Sequence, residues 1–376
     1  MTTELHLEKL ELREIELPLV SPFETSFGRT TRRRIMIVRA FDKSGASGYG
    51  ECVAAENPFF NDETIDTAWL ITTKHIAPLL AQACVTNAGA VNGALAQIRG
   101  NRMAKGGVET AVWDMEAKLA GQPLWQYLGG VRDEINCGVS IGLQETTAEL
   151  LDKVARELDA GYQRIKIKIK PGKDIQLVEA IRSQFANITL SVDANSAYSL
   201  DRHLSVVKQL DNYRLLMIEQ PLTAGDLVDH AKLQSQIKTP ICLDESIVAI
   251  DDVRHAFELG SCRIVNIKLG RVGGHSEARQ IQAYAAESGV PVWCGGMLES
   301  GIGRAHNIAM STQSGFTLPG DVSASARYWE EDIIDPPVRV SPRGTIKVPI
   351  GPGIGFEVNE ARIEALTVRR EMVRLA

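Results

Sequence analysis

A chain of 376 residues, 44% hydrophobic and 23% charged, can bury a large core and has the composition of neither a disordered nor a fibrous protein. With Asp+Glu 47 against Lys+Arg 41, its formal charge of -6 argues against nucleic acid as a partner. No apolar run approaches the roughly 18 residues a membrane-spanning helix needs, so no membrane partner is expected either.

The N-terminus carries Glu4 and Glu8 where an export signal would be basic. The six cysteines show no C-x-x-C pair and no zinc spacing, which predicts reduced thiols in a cytoplasmic protein. The length predicts one domain of roughly 200 to 250 residues with a smaller companion.

In chain order, residues 6–17 and 35–42 predict strands, with Ser21-Pro22-Phe23 to Gly28 between them as a loop carrying two aromatics. Gly48 to Cys52 extends a small antiparallel sheet, and 57–62 predicts a second loop, both loops standing as candidate lids. Helical periodicity follows from about Thr64 to Gln82, in the Ala-rich stretch ending near Gly100, and from Gly107 to the C-cap Gly121. Strands first and helices second give an α+β capping domain over residues 1–130.

After Gly130 one unit repeats: a short apolar strand, a polar tip, then an amphipathic helix. The strands end at Ser140, Lys168, Asp193, Glu219, Asp244, Lys268, Cys294 and the Pro319-Gly320 corner. From Lys168 onward the tips lie about 25 residues apart, the length of one βα unit. Eight such units with no Gly-x-Gly-x-x-Gly turn predict an α/β fold, a (β/α)8-type modified TIM barrel over 131–324. Residues 325–376 are expected to return to the capping domain.

The second barrel strand, Arg164-Ile165-Lys166-Ile167-Lys168-Ile169-Lys170, alternates strictly. Period two puts the isoleucines on one face and the cations on the other. Alone, such a strand reads as a charged edge with a solvated face. A closed barrel has no edges, so Lys166 and Lys168 are predicted to point into its mouth, where unpaired ammonium groups are costly. Lys170, past the tip, is left as surface charge.

The next three strands each end in a carboxylate, Asp193, Glu219 and Asp244. Converging without thiolate or imidazole, they form a hard oxygen site suited to Mg²⁺, with Mn²⁺ as the alternative. One such acid alone would read as a helix N-cap; three at matched spacing favour the metal. Lys268 ends the sixth strand, opposite the second. A carboxylate bound there would present its α-carbon between two amines, an arrangement suited to removing an α-proton through an enediolate. Burial beside Lys166, the metal and Arg271 is expected to bring a lysine down toward neutrality. Two faces permit racemisation; one base with a stabilising partner permits loss of a β-leaving group.

With these residues assembled, the chain resembles the enolase superfamily, and Lys166-Ile167-Lys168, Asp193, Glu219, Asp244 and Lys268 match its muconate-lactonizing subgroup. Finer features are similar to the o-succinylbenzoate synthase and N-succinylamino acid racemase group: Lys268 to Gly274, Trp293 to Gly303, and Ser21-Pro22-Phe23. The resemblance implies Lys168 as a catalytic base tuned by Lys166, Lys268 as the opposing base, and the three acids as Mg²⁺ ligands. It also implies that Gly296, Met297 and the N-terminal loop with Phe23 line the pocket. Arg271 near Lys268 favours racemase competence. Cys294 replaces the His of acid-sugar dehydratases, and the single acid Asp321 favours an N-acylated substrate over a free amine.

Glu245 is expected either to support Lys268 through a hydrogen bond or to face helix N-termini. Asn195 and Asn266 are expected to hydrogen-bond near the metal, and Ser140 to stand beside the site. His306 reads as a helix residue rather than a base. Phe23, Phe59 and Phe60 are candidate lid aromatics or satellite core. The expected protein is a homo-oligomer acting on a small-molecule carboxylate. The alternatives are a muconate-type cycloisomerase or dipeptide epimerase on the same site, or an inactive barrel used as a binding module.

Overall fold

The computed structural model describes residues 5–26 and 28–375. A four-stranded antiparallel sheet forms the smaller unit. It contains β1 (Leu7–Glu24), β2 (Arg29–Asp42) and β3 (Ser47–Cys52), with the C-terminal strand β11 (Thr367–Arg374) on the outer edge of β1. β1 and β2 therefore run further than the sequence predicts. Phe23 pairs with Thr30 and Glu24 with Arg29 after an irregularity at Pro18, so the first half of the supposed 21–28 loop is strand. Phe27, the other aromatic of that loop, lies outside the described residues.

Helix α1 (Arg102–Leu119) packs across this sheet because β3 offers backbone rather than side chains. A Cβ at Gly50 would stand 2.2 Å from the carbonyl oxygen of Gly107. Only glycine permits that approach.

The larger unit is a parallel sheet in strict sequence order: β4 (Gly138–Ile141), β5 (Arg164–Lys168), β6 (Leu190–Asp193), β7 (Ile218–Glu219), β8 (Ile241–Leu243), β9 (Ile264–Ile267) and β10 (Val292–Cys294). Helices follow the strands: α2 (Thr147–Asp159), α3 (Ile175–Gln184), α4 (Leu200–Leu210), α5 (Leu227–Gln234), α6 (Ile250–Leu259), α7 (His275–Glu287) and α8 (Gly301–Ser311). Local sequence sets their starts. Thr146 and Glu149 cap α2 reciprocally, and Asp226 caps α5.

The eighth position differs from the expected strand. Residues 316–320 make single parallel bridges, Phe316 with Val292 and Gly320 with Cys137, closing the ring between β10 and the start of β4. Pro319 lacks an N–H, which removes a ladder donor there. Ile165, Ile167 and Ile169 join the apolar layer under the barrel helices, as alternation requires.

The two units are pinned by Glu109 of α1. It accepts hydrogen bonds from the backbone N–H groups of His275 and Ser276 at 2.8 and 2.9 Å and from Trp113 Nε1 at 2.7 Å. These N–H groups belong to the first turn of α7, which has no partner for them of its own. Gly274, at φ +115°, is needed because a Cβ would stand 2.2 Å from Glu109 Oε2. Glu109→Ala strands three donors, two of them buried, and should cost about 2–4 kcal/mol, read as a lower urea midpoint than that of Glu109→Gln. Equal midpoints for wild type and Glu109→Ala would refute the pin.

His306 lies within α8, bonded to His275 at 3.0 Å and to the Tyr49 carbonyl at 2.7 Å, and so joins the units rather than facing the barrel mouth. All six thiols are free, Cys84 alone being exposed. Among the described residues no helix is long and apolar enough to cross a membrane.

Candidate active site

The cationic face of β5 turns inward. Lys166 and Lys168 are 2% and 7% exposed, and Arg164 is fully buried beneath them. Parallel register sets Lys168 beside Asp193 and Asp193 beside Glu219, so the strand tips meet. Lys168 Nζ lies 2.5 Å from Asp193 Oδ2 and donates to Asn195 Oδ1 at 2.8 Å. Lys166 Nζ lies 2.7 Å from Glu219, 2.8 Å from Asp321 and 3.4 Å from Asp193. Across the barrel, Lys268 Nζ lies 2.7 Å from Asp244 Oδ2, and Arg271 holds the other oxygen of that carboxylate. Lys170 is half-exposed beyond the strand.

A second layer orients the acids. Asn266 Nδ2 donates to Glu219 Oε1 at 2.8 Å. Asn195 Nδ2 donates to Glu245 Oε1 at 3.0 Å, so of the two alternatives for Glu245 the bond to Lys268 is not formed: Lys268 takes Asp244 instead. Gln220 escaped the sequence reading altogether. Fully buried, with φ +36°, it accepts from the backbone N–H groups of Asp244 and Ser246 and so ties the β7 tip to the β8 tip. Asn195, at φ +42°, is likewise left-handed just past its strand, the kind of strain that collects at functional sites.

Burial pushes the Glu219 carboxyl up to about 7, with Asp193 adding to it and Lys166 opposing. Burial, then Asp244 and Asp193, push Glu245 up to about 8. For Asp244 burial is outweighed by Lys268 and Arg271, and its carboxyl sits far below the usual range. The lysines differ from expectation. Burial would lower Lys166 and Lys268, but the surrounding acids, Asp321 first for Lys166 and Asp244 first for Lys268, raise both. In the chain by itself the carboxylates outweigh the neighbouring cations.

Among the described residues no three acid, His or Cys side chains converge at metal-ligating distance, because each acid leans toward a lysine or arginine. The donor set nonetheless suits a hard divalent cation. It is all carboxylate, buried and on adjacent strand tips, and Glu245 Oε2 is buried with no partner. Lysines standing where positive charge is wanted, and an acid pushed toward neutrality, are the marks of a site short of cation charge.

Above the lysines lies a cavity of about 380 Å³. Its floor includes Lys168, Lys268 and Asn195, one wall is Gly296, Met297 and Leu298, and its roof is Phe23, Arg33, Phe59 and Phe60 of the capping unit. Lys268 Nζ sits 4.6 Å from the Phe60 ring centre, and Phe23 meets Tyr328 edge-on. Phe59 is exposed at the rim. Ser140, Glu245 and Arg271 do not reach the cavity wall; Ser140 sits beside Lys166 in register, its hydroxyl unpartnered. A larger groove of about 1190 Å³ beside Trp113 and Arg279 contains none of these lysines or strand-tip acids.

Residues 9–129 match the mandelate racemase / muconate lactonizing enzyme N-terminal domain, and residues 149–362 match the enolase C-terminal domain-like family. The chain is 49% identical to an o-succinylbenzoate synthase of Geobacillus stearothermophilus, with 96% of each covered. It is 46% identical to an N-succinylamino acid racemase of Thermus thermophilus, over 97% of this chain and 98% of that one. A crystal structure of an enolase superfamily member from Listeria innocua superposes with a TM-score of 0.95 at 44% identity, covering 99% of this chain and 100% of that one. The lysine and carboxylate tips thus stand in a known setting, and the chain belongs to the mandelate racemase / muconate lactonizing enzyme family of the enolase superfamily.

Proposed function

We propose that the chain removes a proton α to a carboxylate, racemising N-succinylamino acids, dehydrating the menaquinone precursor to o-succinylbenzoate, or both. The observation that carries this is the pair Lys168 and Lys268, which enter one cavity from strands four places apart in the ring. Curated relatives bearing both names support the same reading. A divalent cation held by Asp193, Glu219 and Asp244, Mg²⁺ with Mn²⁺ as alternative, supplies positive charge that favours the enediolate.

The residues of the chain divide the rest of the chemistry. The α C–H bond breaks, its electron pair moves into the carboxylate, and the proton passes to the neutral amine of one lysine. Return of a proton from the ammonium of the opposite lysine gives the mirror image. When a β-hydroxyl leaves instead, the second lysine stays charged and stabilises the enediolate, the electron pair then forms the Cα–Cβ double bond, and the proton taken by the first lysine passes to the departing oxygen, which leaves as water.

Asp321, the acid nearest the eighth position, is engaged by Arg164 at 2.7 Å and Lys166 at 2.8 Å and does not line the cavity. A free α-ammonium would find no partner in it, which favours an N-acyl group.

In D₂O with Mg²⁺, N-succinyl-L-phenylalanine should lose its α-proton signal and its optical rotation, and chelation of the metal should stop both. Absence of exchange under metal-loaded conditions, together with no o-succinylbenzoate formed from its precursor, would sink the proposal. The relative rates of the two assays separate racemase from synthase.

A further inference from the structure

Three consecutive arginines on β2 have different fates. Arg32 lies 3.3 Å from Glu16, and Arg34 lies 2.6 Å from Glu14 and 3.0 Å from Asp66. Arg33, between them, has no carboxylate within 4 Å among the described residues, yet it is 7% exposed. Strand alternation explains its direction. Arg33 shares a face with Ile35 and Ile37, which pack into the barrel-side core, while Met36 and Val38 face the core of the capping unit. The row Ile37, Ile35, Arg33 therefore ends in an arginine that lines the roof of the cavity holding Lys168 and Lys268.

Among the described residues only its Nη2 finds a partner, the Val53 carbonyl at 2.7 Å; Nε is buried with none. The acids that act on it are committed elsewhere, Glu56 to Arg32 at 3.9 Å. Glu51 accepts from Ser300 and Gly303, and Glu299 accepts from Asn307 at 2.9 Å. A buried guanidinium without an ion pair costs several kcal/mol by itself and is kept where an anion arrives to meet it. A planar fork with open donors suits a carboxylate in particular.

We propose that Arg33 selects the second carboxylate of the substrate, the one at the far end of a short acyl arm whose other end is held between Lys168 and Lys268. The inference rests on the reading of this cavity as the site of α-proton abstraction. It names a specificity residue on the capping unit, separate from the lysines that do the chemistry.

The test compares N-succinyl-L-phenylalanine with N-butyryl-L-phenylalanine, which replaces the far carboxylate by a methyl group. Each is followed by calorimetric binding and by α-deuterium exchange with metal-loaded protein. Wild type should favour the succinyl compound by roughly 10- to 100-fold, the worth of a hydrogen bond to a charged group, chiefly in KM. Arg33→Met should bring that ratio toward one, Arg33→Lys should keep part of it, and Arg34→Met should leave it unchanged. A wild-type ratio near one overturns the assignment without any variant, as does a ratio that survives in Arg33→Met. Preferential binding of the succinyl compound that is lost in Arg33→Met, with no exchange of either compound, would uphold Arg33 and sink the proposed reaction instead.

Discussion

Lys168→Ala and Lys268→Ala are each expected to cut α-deuterium exchange by about 10²- to 10⁴-fold, and from opposite enantiomers of the N-succinyl substrate. The stereochemical split is the informative part, because a general loss of folding would remove both enantiomers together. Neither change should unfold the chain. Without Lys268, Asp244 keeps Arg271; without Lys168, Asp193 keeps Lys166 at 3.4 Å and the backbone N–H of Asn195 at 2.9 Å. NMR exchange from the D and L compounds in parallel provides the measurement. Loss of the same enantiomer in both variants would mean that the two amines do not address two faces.

Asp321→Ala should be strongly destabilising, by about 3–5 kcal/mol, because it strips the carboxylate from buried Arg164 and leaves buried Lys166 with Glu219 and Asp193 alone. Arg164 is fully buried and Lys166 nearly so, and Asp321 is the acid that bridges them. Both cations lie over the Trp293 ring, at 4.7 and 4.6 Å, which offsets only part of the loss. Adding Arg164→Met should recover part of the stability, since it removes the stranded charge. Denaturant midpoints of the two single variants and the double variant test this. A midpoint for Asp321→Ala within experimental error of wild type would refute the account.

Much of the site was legible because the relevant signals are local. Lys166 and Lys168 alternate with isoleucines, and a strand has only two faces, so once the barrel closes their direction follows. Asp193, Glu219 and Asp244 each end an apolar run, and parallel register brings such ends together. The rest depends on long-range pairing. Nothing near Pro319 says that the eighth position makes single bridges only, because that follows from where β4 and β10 end. The partner of Glu245 turned on whether Asn195 or Lys268 was nearer, a matter of loop path. Ser21-Pro22 reads as a turn by composition, yet β2 is long enough to hold Phe23 and Glu24 in the sheet. Gln220 and Arg33 carry no chemistry in their own neighbourhoods. One matters because it links two strand tips, the other because β2 lies over the barrel.

The pairing of β11 with β1 joins Lys9 to Arg374 and Arg13 to Arg370. On a ribosome, the barrel and all its lysines emerge before the strand that completes the sheet above them. During that interval β1 presents a bare row of N–H and C=O groups, a template for any other unpaired strand. The sheet that carries Phe23 and Arg33 over the barrel is therefore finished by some of the last described residues to be made, and contacts spanning that much chain are slow to close.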